Sequence, residues 1–112
     1  MPGEEIERAV YLQRIDPERR DEYLEAHEDV PGGVTRAMEE AGVERFELYV
    51  RREIAICILE AEDVERYDEA MASDPAVEEW ERRVAEFKTE GVDVEADDGG
   101  VPYMEEIWSF EP

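Results

Sequence analysis

Few side chains in this 112-residue chain can carry proton or covalent chemistry at neutral pH. There is one histidine, His27, one cysteine, Cys57, and two serines, Ser73 and Ser109. An imidazole, with an unperturbed pKa of about 6.5, is the group best suited to give and take a proton near neutrality. Tyr23 stands four residues before His27, and on a helix that spacing stacks a phenol and an imidazole on one face. Two readings fit the spacing: a core tyrosine with a satisfied core histidine, or a pair set up for proton transfer. Cys57 lies in an apolar run over residues 54–59, which suits a small buried hydrophobe better than a nucleophile, and a single cysteine forms no internal disulfide.

Other chemistries fail on spacing. The lone His and the lone Cys are far apart and give no zinc pattern. The acidic run Asp93-x-Glu95-x-Asp97-Asp98-Gly99 fails as an EF-hand, with Asp98 where glycine is required and Met104 where the bidentate acid belongs. Gly32-Gly33 and Gly99-Gly100 match no phosphate-cradling fingerprint, and two isolated serines support no Ser/His/Asp arrangement. The chain is therefore expected to need no metal and no cofactor.

Charge narrows the partners. With 34 Asp and Glu against 12 Lys and Arg, the formal net charge is −22. The basic side is 11 Arg and Lys88, paired only as Arg19-Arg20, Arg51-Arg52 and Arg82-Arg83, so no basic footprint exists for nucleic acid. With 42% apolar residues in periodic blocks, disorder does not explain the acidity. Self-repulsion opposes compactness at such a charge, and at roughly 1 M salt the Debye length falls to ~3 Å and removes most of it. The composition fits a halophile's cytoplasm. No apolar span is long enough for a membrane helix and no basic-then-apolar leader opens the chain, so a cytoplasmic protein with no membrane partner is expected.

These side chains must be positioned by one domain spanning residues 1–112. Residues 6–15, holding Ala9-Val10-Tyr11-Leu12, read as a strand closed by Asp16-Pro17. Asp16 suits an N-cap and Pro17 the first helical position, opening a helix that spans residues 16–42, is interrupted at Pro31-Gly32-Gly33, and ends at Gly42. Phe46, Leu48 and Val50 alternate with Glu47, Tyr49 and Arg51 in a second strand. The run 54–59 is apolar on both faces, a strand covered on one side by helices and on the other by a second copy of the sheet; a homodimer is expected. Asp63 caps a helix carrying Val64, Tyr67 and Met71, and Ser73-Asp74-Pro75 opens another with Val77, Trp80, Val84 and Phe87 at amphipathic spacing. Residues 92–102 read as a loop and 104–110, with Ile107 and Trp108, as a final strand. The resulting βαββαβ order is that of a ferredoxin-like α+β sandwich.

Trp80 fits the core stripe, and at the stripe's edge would also be a platform for the C–H face of a sugar. At these residues the chain resembles the L-rhamnose mutarotase family: Glu22-Tyr23 and His27 after an Asp-Pro helix start, the helix end at Gly42, and Ala72-Ser73-Asp74 leading to Trp80. The resemblance runs from about Arg8 to Pro112. It implies a ferredoxin-like fold assembled as a dimeric α/β barrel, a small-molecule sugar as partner, and a homodimer. It further implies that Tyr23 and His27 contact the sugar, with His27 donating a proton. Three positions depart from the family pattern. A sugar-binding tyrosine falls on Phe46, the paired tryptophans become Trp80-Glu81, and a Trp-Pro-Glu segment becomes Pro31-Gly32-Gly33. Phe46, Trp80 and Glu81 thus join Tyr23 as substrate-binding candidates, with Glu81 and Glu106 as candidates for an opposing base. The implied reaction interconverts the α and β anomers of a pyranose such as L-rhamnose or a related 6-deoxyhexose. The alternatives are another cofactor-free dimeric α/β-barrel enzyme, or a non-catalytic module that binds a small ligand.

Overall fold

The fold is that of a computed structural model describing residues 6–89 and 103–112. Its elements are β1 (Glu7–Arg14), a 3-10 turn (Pro17–Arg19), α1 (Arg20–Ala26), α2 (Gly32–Glu40), β2 (Val43–Arg51), β3 (Ile54–Ala61), α3 (Val64–Ala72), α4 (Pro75–Ala85) and β4 (Tyr103–Met104). The four strands form one antiparallel sheet in the order β2-β3-β1-β4, with the helices on one face. This is the ferredoxin-like α+β arrangement.

Local signals account for the boundaries. The Asp16 carboxylate accepts from the Glu18 N–H (2.9 Å), that of Asp63 from the Arg66 N–H (3.1 Å), and that of Asp74 from the Ala76 and Val77 N–H groups (2.8 and 3.2 Å). Each satisfies amide donors that the first helical turn leaves without partners. Gly42 closes α2 with φ +88°, a conformation that costs a residue with a Cβ.

Pairing register assigns every strand residue to a face. Ala9, Tyr11 and Gln13 of β1 sit beside Leu59, Cys57 and Ala55 of β3, which sit beside Phe46, Leu48 and Val50 of β2. This is the helix side, where Ala55 and Leu59 are wholly buried. On the other side Ile54, Ile56 and Ile58 are half-buried. A run that reads as doubly covered is, in the single chain, covered on one side.

Two boundaries differ from the sequence expectation. Pro31-Gly32-Gly33 does not interrupt a helix but starts one: Pro31 is the N-cap and Gly32 the first residue of α2. The break lies upstream, where the N–H groups of His27, Glu28 and Asp29 reach back three residues to Leu24, Glu25 and Ala26 carbonyls and tighten the chain out of α1. Gly33 has its own reason, since a Cβ there would stand 2.9 Å from the Cβ of Ala76. The final strand is two residues long, and Ile107, Trp108 and Phe110 beyond it are 71–88% exposed. The segment pairs only Tyr11 and Val10 and leaves β1 before its Glu7 end. The loop read over residues 92–102, with its EF-hand-like run, lies outside the described residues. No helix among the described residues is long and apolar enough to cross a membrane.

These glycines separate in stability. Gly33→Ala forces a backbone shift between α2 and α4 and is expected to cost about 1–3 kcal/mol, and Gly42→Ala about 1 kcal/mol. Gly32→Ala meets nothing within 4 Å and is expected to be neutral or stabilising by up to about 1 kcal/mol. Urea unfolding monitored by circular dichroism ranks the three.

Candidate active site

Tyr23 and His27 belong to the segment that leaves β1, and β1 determines where that segment goes. Beyond Arg14 the chain pairs with the residues that follow α4: the Asp16 N–H donates to the Phe87 carbonyl (2.9 Å), the Thr89 N–H donates to the Arg14 carbonyl (3.1 Å), and Ile15 bridges Lys88. Arg19 adds a hydrogen bond to the Glu86 carbonyl (3.1 Å), with its guanidinium 4.9 Å from the Phe87 ring centre. The start of the first helical segment is thereby fixed to the end of α4. Eight residues along one and seven back along the other, His27 and Trp80 meet with ring centres 5.1 Å apart and planes at 78°.

Tyr23 is 1% exposed, part of a core with Ile15, Ala26, Val34, Ala55, Trp80, Val84 and Phe87. Its hydroxyl donates to Gln13 Oε1 on the sheet (3.3 Å). The His27 ring lies 4.5 Å from the Tyr23 ring, and its Nδ1 is 2.8 Å from the Tyr23 carbonyl oxygen. A carbonyl only accepts, so Nδ1 carries the proton and Nε2 is the nitrogen left to exchange one. His27 is half-buried at the C-cap of α1.

A wider set of polar groups lies between the helices and the sheet. Burial pushes the Tyr11, Tyr23, Tyr67 and Cys57 hydroxyls and thiol upward, and the Glu81 carboxylate adds to the rise at all four. Tyr11 and Cys57 stand directly opposite each other across the β1–β3 pairing, as register partners on the helix side of the sheet, whereas Tyr23 and Tyr67 sit in two separate core clusters. Tyr103 stands edge-on to Tyr11 (5.6 Å) and donates to Asp68 Oδ1 (2.6 Å), which with burial raises its hydroxyl as well.

The candidates from sequence separate accordingly. Tyr23, His27 and Trp80 come together. Trp80 is 8% exposed and a member of the core, as its stripe position requires. Glu81 stands next to it and is exposed. Phe46 does not join them: it packs in a second cluster with Ala9, Ala41, Leu59, Ala61 and Tyr67. Glu106 lies in the exposed segment after β4, where its charge bears on Arg8. Arg8 pairs with Glu60 on the sheet face away from His27. Tyr11, Gln13, Cys57 and Tyr67 escaped the sequence reading because each was absorbed into an apolar pattern. The available signal was alternation in β1, where Ala9, Tyr11 and Gln13 share one face. Among the described residues no three His, Cys, Asp or Glu side chains gather as a metal cage.

Comparison with known proteins bears on this arrangement. The family model of L-rhamnose mutarotase matches residues 8–110. The chain belongs to the L-rhamnose mutarotase family. That family is one of isomerase-type carbohydrate enzymes. An L-rhamnose mutarotase structure from Formosa agariphila superposes with a TM-score of 0.70 at 14% identity, covering 94% of this chain and 99% of the other. Tetracenomycin F2 cyclase from Streptomyces glaucescens, a type-II polyketide cyclase, gives 0.67 at 24% identity over 95% and 98%. A conserved protein from Methanosarcina mazei Go1 gives 0.60 at 19% over 79% and 86%. At these identities the structures share the fold. No curated protein matches the chain.

The buried phenols couple the fold to alkaline pH. Four of five tyrosines are held protonated above their ordinary range. An unfolded tyrosine ionises at about 10, so the stability they contribute is full below that pH and is lost as pH rises beyond it. Phenolate absorbance is expected to appear together with loss of helical circular dichroism; four phenols ionising in a chain that remains folded would contradict the burial.

Proposed function

We propose that this chain interconverts the α and β anomers of a pyranose, a 6-deoxyhexose such as L-rhamnose, with His27 as the proton carrier. The observation that carries the reading is the Nδ1 contact of His27 with the Tyr23 carbonyl. It supports a tautomer with the proton on Nδ1, which leaves Nε2 as the nitrogen free to exchange one.

In ring opening, the anomeric hydroxyl loses its proton, the bond between the anomeric carbon and the ring oxygen breaks, and the ring oxygen gains a proton. The aldehyde then rotates and the ring closes on its other face, with the proton transfers reversed. His27 in its imidazolium form delivers the proton from Nε2 to the ring oxygen and recovers it on closure. The Glu81 carboxylate is the base facing the anomeric hydroxyl, or accepts from a neighbouring sugar hydroxyl. Tyr23, held neutral by burial, backs the imidazole from the core side, and Trp80 offers the rim of its ring. Phe46, packed in the second cluster, takes no part in these steps. Neither a metal nor an organic cofactor takes part in these steps.

We also propose that the protein works as a homodimer in the cytoplasm. The half-covered Ile54, Ile56 and Ile58 side of the sheet supports the dimer, and the net charge of −22 supports a salt-rich setting.

Saturation-transfer NMR of anomer exchange, run at high salt with L-rhamnose, L-fucose and other sugars, tests the activity. A positioned acid or base contributes about 10²–10⁴-fold, so His27→Ala is expected to lose that factor while keeping its circular dichroism. Glu81→Gln is expected to slow exchange less and to alter its dependence on pH. Exchange no faster with protein than with buffer, for every sugar, would sink the proposal.

A further inference from the structure

Tyr23 holds a polar group at each of its ends. Its backbone carbonyl accepts from His27 Nδ1 (2.8 Å), and its side-chain hydroxyl donates to Gln13 Oε1 (3.3 Å). The tyrosine itself is 1% exposed and packed in the core, so it has almost no surface to give a ligand. Gln13 and His27, in contrast, are both half-buried. The polar atoms still within reach on either side of Tyr23 are those of the imidazole and the amide.

Gln13 is also chemically alone. The chain has one glutamine and no asparagine, so in a protein whose polar side chains are mostly charged this is the only side-chain amide. Register puts it on the helix side of β1, in one row with the wholly buried Ala55 and with Val50. Bonding fixes which way its amide is turned. A buried hydroxyl must place its hydrogen on an acceptor, and Gln13 is the acceptor that Tyr23 meets, so the amide oxygen faces the phenol. The NH2 end, with two donors, has no partner among the described residues. In a half-buried setting such donors are met by water or by a ligand.

We propose that Gln13 is a sugar-binding residue, its NH2 group donating to a ring hydroxyl of the same pyranose that exchanges a proton with His27. Tyr23 is the brace that orients both groups from the core side and does not itself touch the sugar. This deepens the anomer-exchange reading above and rests on it. The two groups stand at the two ends of one tyrosine, a six-membered ring with a hydroxyl, which is also the length that a pyranose presents. A neutral amide suits a neutral hydroxyl, since the contact encloses no charge. A hydroxyl away from the anomeric carbon takes no part in bond breaking, so the contact is the same before and during ring opening and shows in KM rather than kcat.

Because no other side-chain amide is present, Gln13 gives the one glutamine NH2 pair in the amide correlation NMR spectrum of isotope-labelled protein, and Gln13→Glu identifies it by its disappearance. Titration at high salt with L-rhamnose, L-fucose, or whichever other pyranose the wild type speeds most is expected to shift that pair. Kinetics add a second readout. Gln13→Glu leaves an oxygen for Tyr23 and removes the donor, and Gln13→Met keeps the length and removes both. Each is expected to keep the circular dichroism of the wild type and to raise KM about 3- to 10-fold, the worth of one neutral hydrogen bond, with kcat little changed. Among analogues of the sugar that lack one ring hydroxyl, one is expected to bind wild type and Gln13→Met equally. An NH2 pair that stays in place at saturating sugar overturns the contact, even where a variant fails to fold. So does an unchanged KM in both variants, or a loss confined to kcat, while the wild type still exchanges anomers. A wild type that speeds no sugar overturns the anomer-exchange reading and the contact together.

Discussion

The short backbone pairing between residues 14–16 and 87–89 is the contact on which the site depends. It joins the exit of the first strand to the exit of the last helix through two amide hydrogen bonds and the wholly buried Ile15. Arg19, stacked on Phe87, adds a contact between side chain and ring. With those ends held, the first and last helical segments run side by side in opposite directions, and their periodicity brings His27 and Trp80 to the same height. Neither helix is long enough to be stable alone. The aromatic rings between them fill the space between helices and sheet.

Small residues on the sheet make that space available. Ala9, Ala55, Cys57 and Ala61 face the helices, where larger side chains would displace the phenols of Tyr11, Tyr23 and Tyr67. Close packing leaves little slack for such displacement. Phenols in their place bring hydroxyls inside the fold, and burial keeps them protonated and able to donate.

Acidity and site chemistry are separate matters in this chain. Most carboxylates point to solvent, where they govern solubility and salt response. Glu81 is exposed like most of them and differs only in standing next to the buried Trp80. Four of the eleven arginines, Arg8, Arg14, Arg45 and Arg51, lie on the open sheet face, where they offset its two glutamates.

Sequence alone determined the order of elements, because caps such as Asp16, Asp63 and Asp74 and the alternation in β2 are local signals that need no partner. It also determined that His27 is the chain's one imidazole, and that Tyr23 shares its helical face. The mutarotase resemblance added the fold and a reaction. Tertiary structure decided the rest. Whether Pro31-Gly32-Gly33 ends a helix or begins one depended on the approach of α2 to Ala76, a contact across 43 residues of sequence. That Ala9, Tyr11 and Gln13 share the helix side of the sheet with Cys57 depended on strand register, and so did the end of β4 at Met104. Long-range pairing fixes each of these, and no window of local sequence contains it.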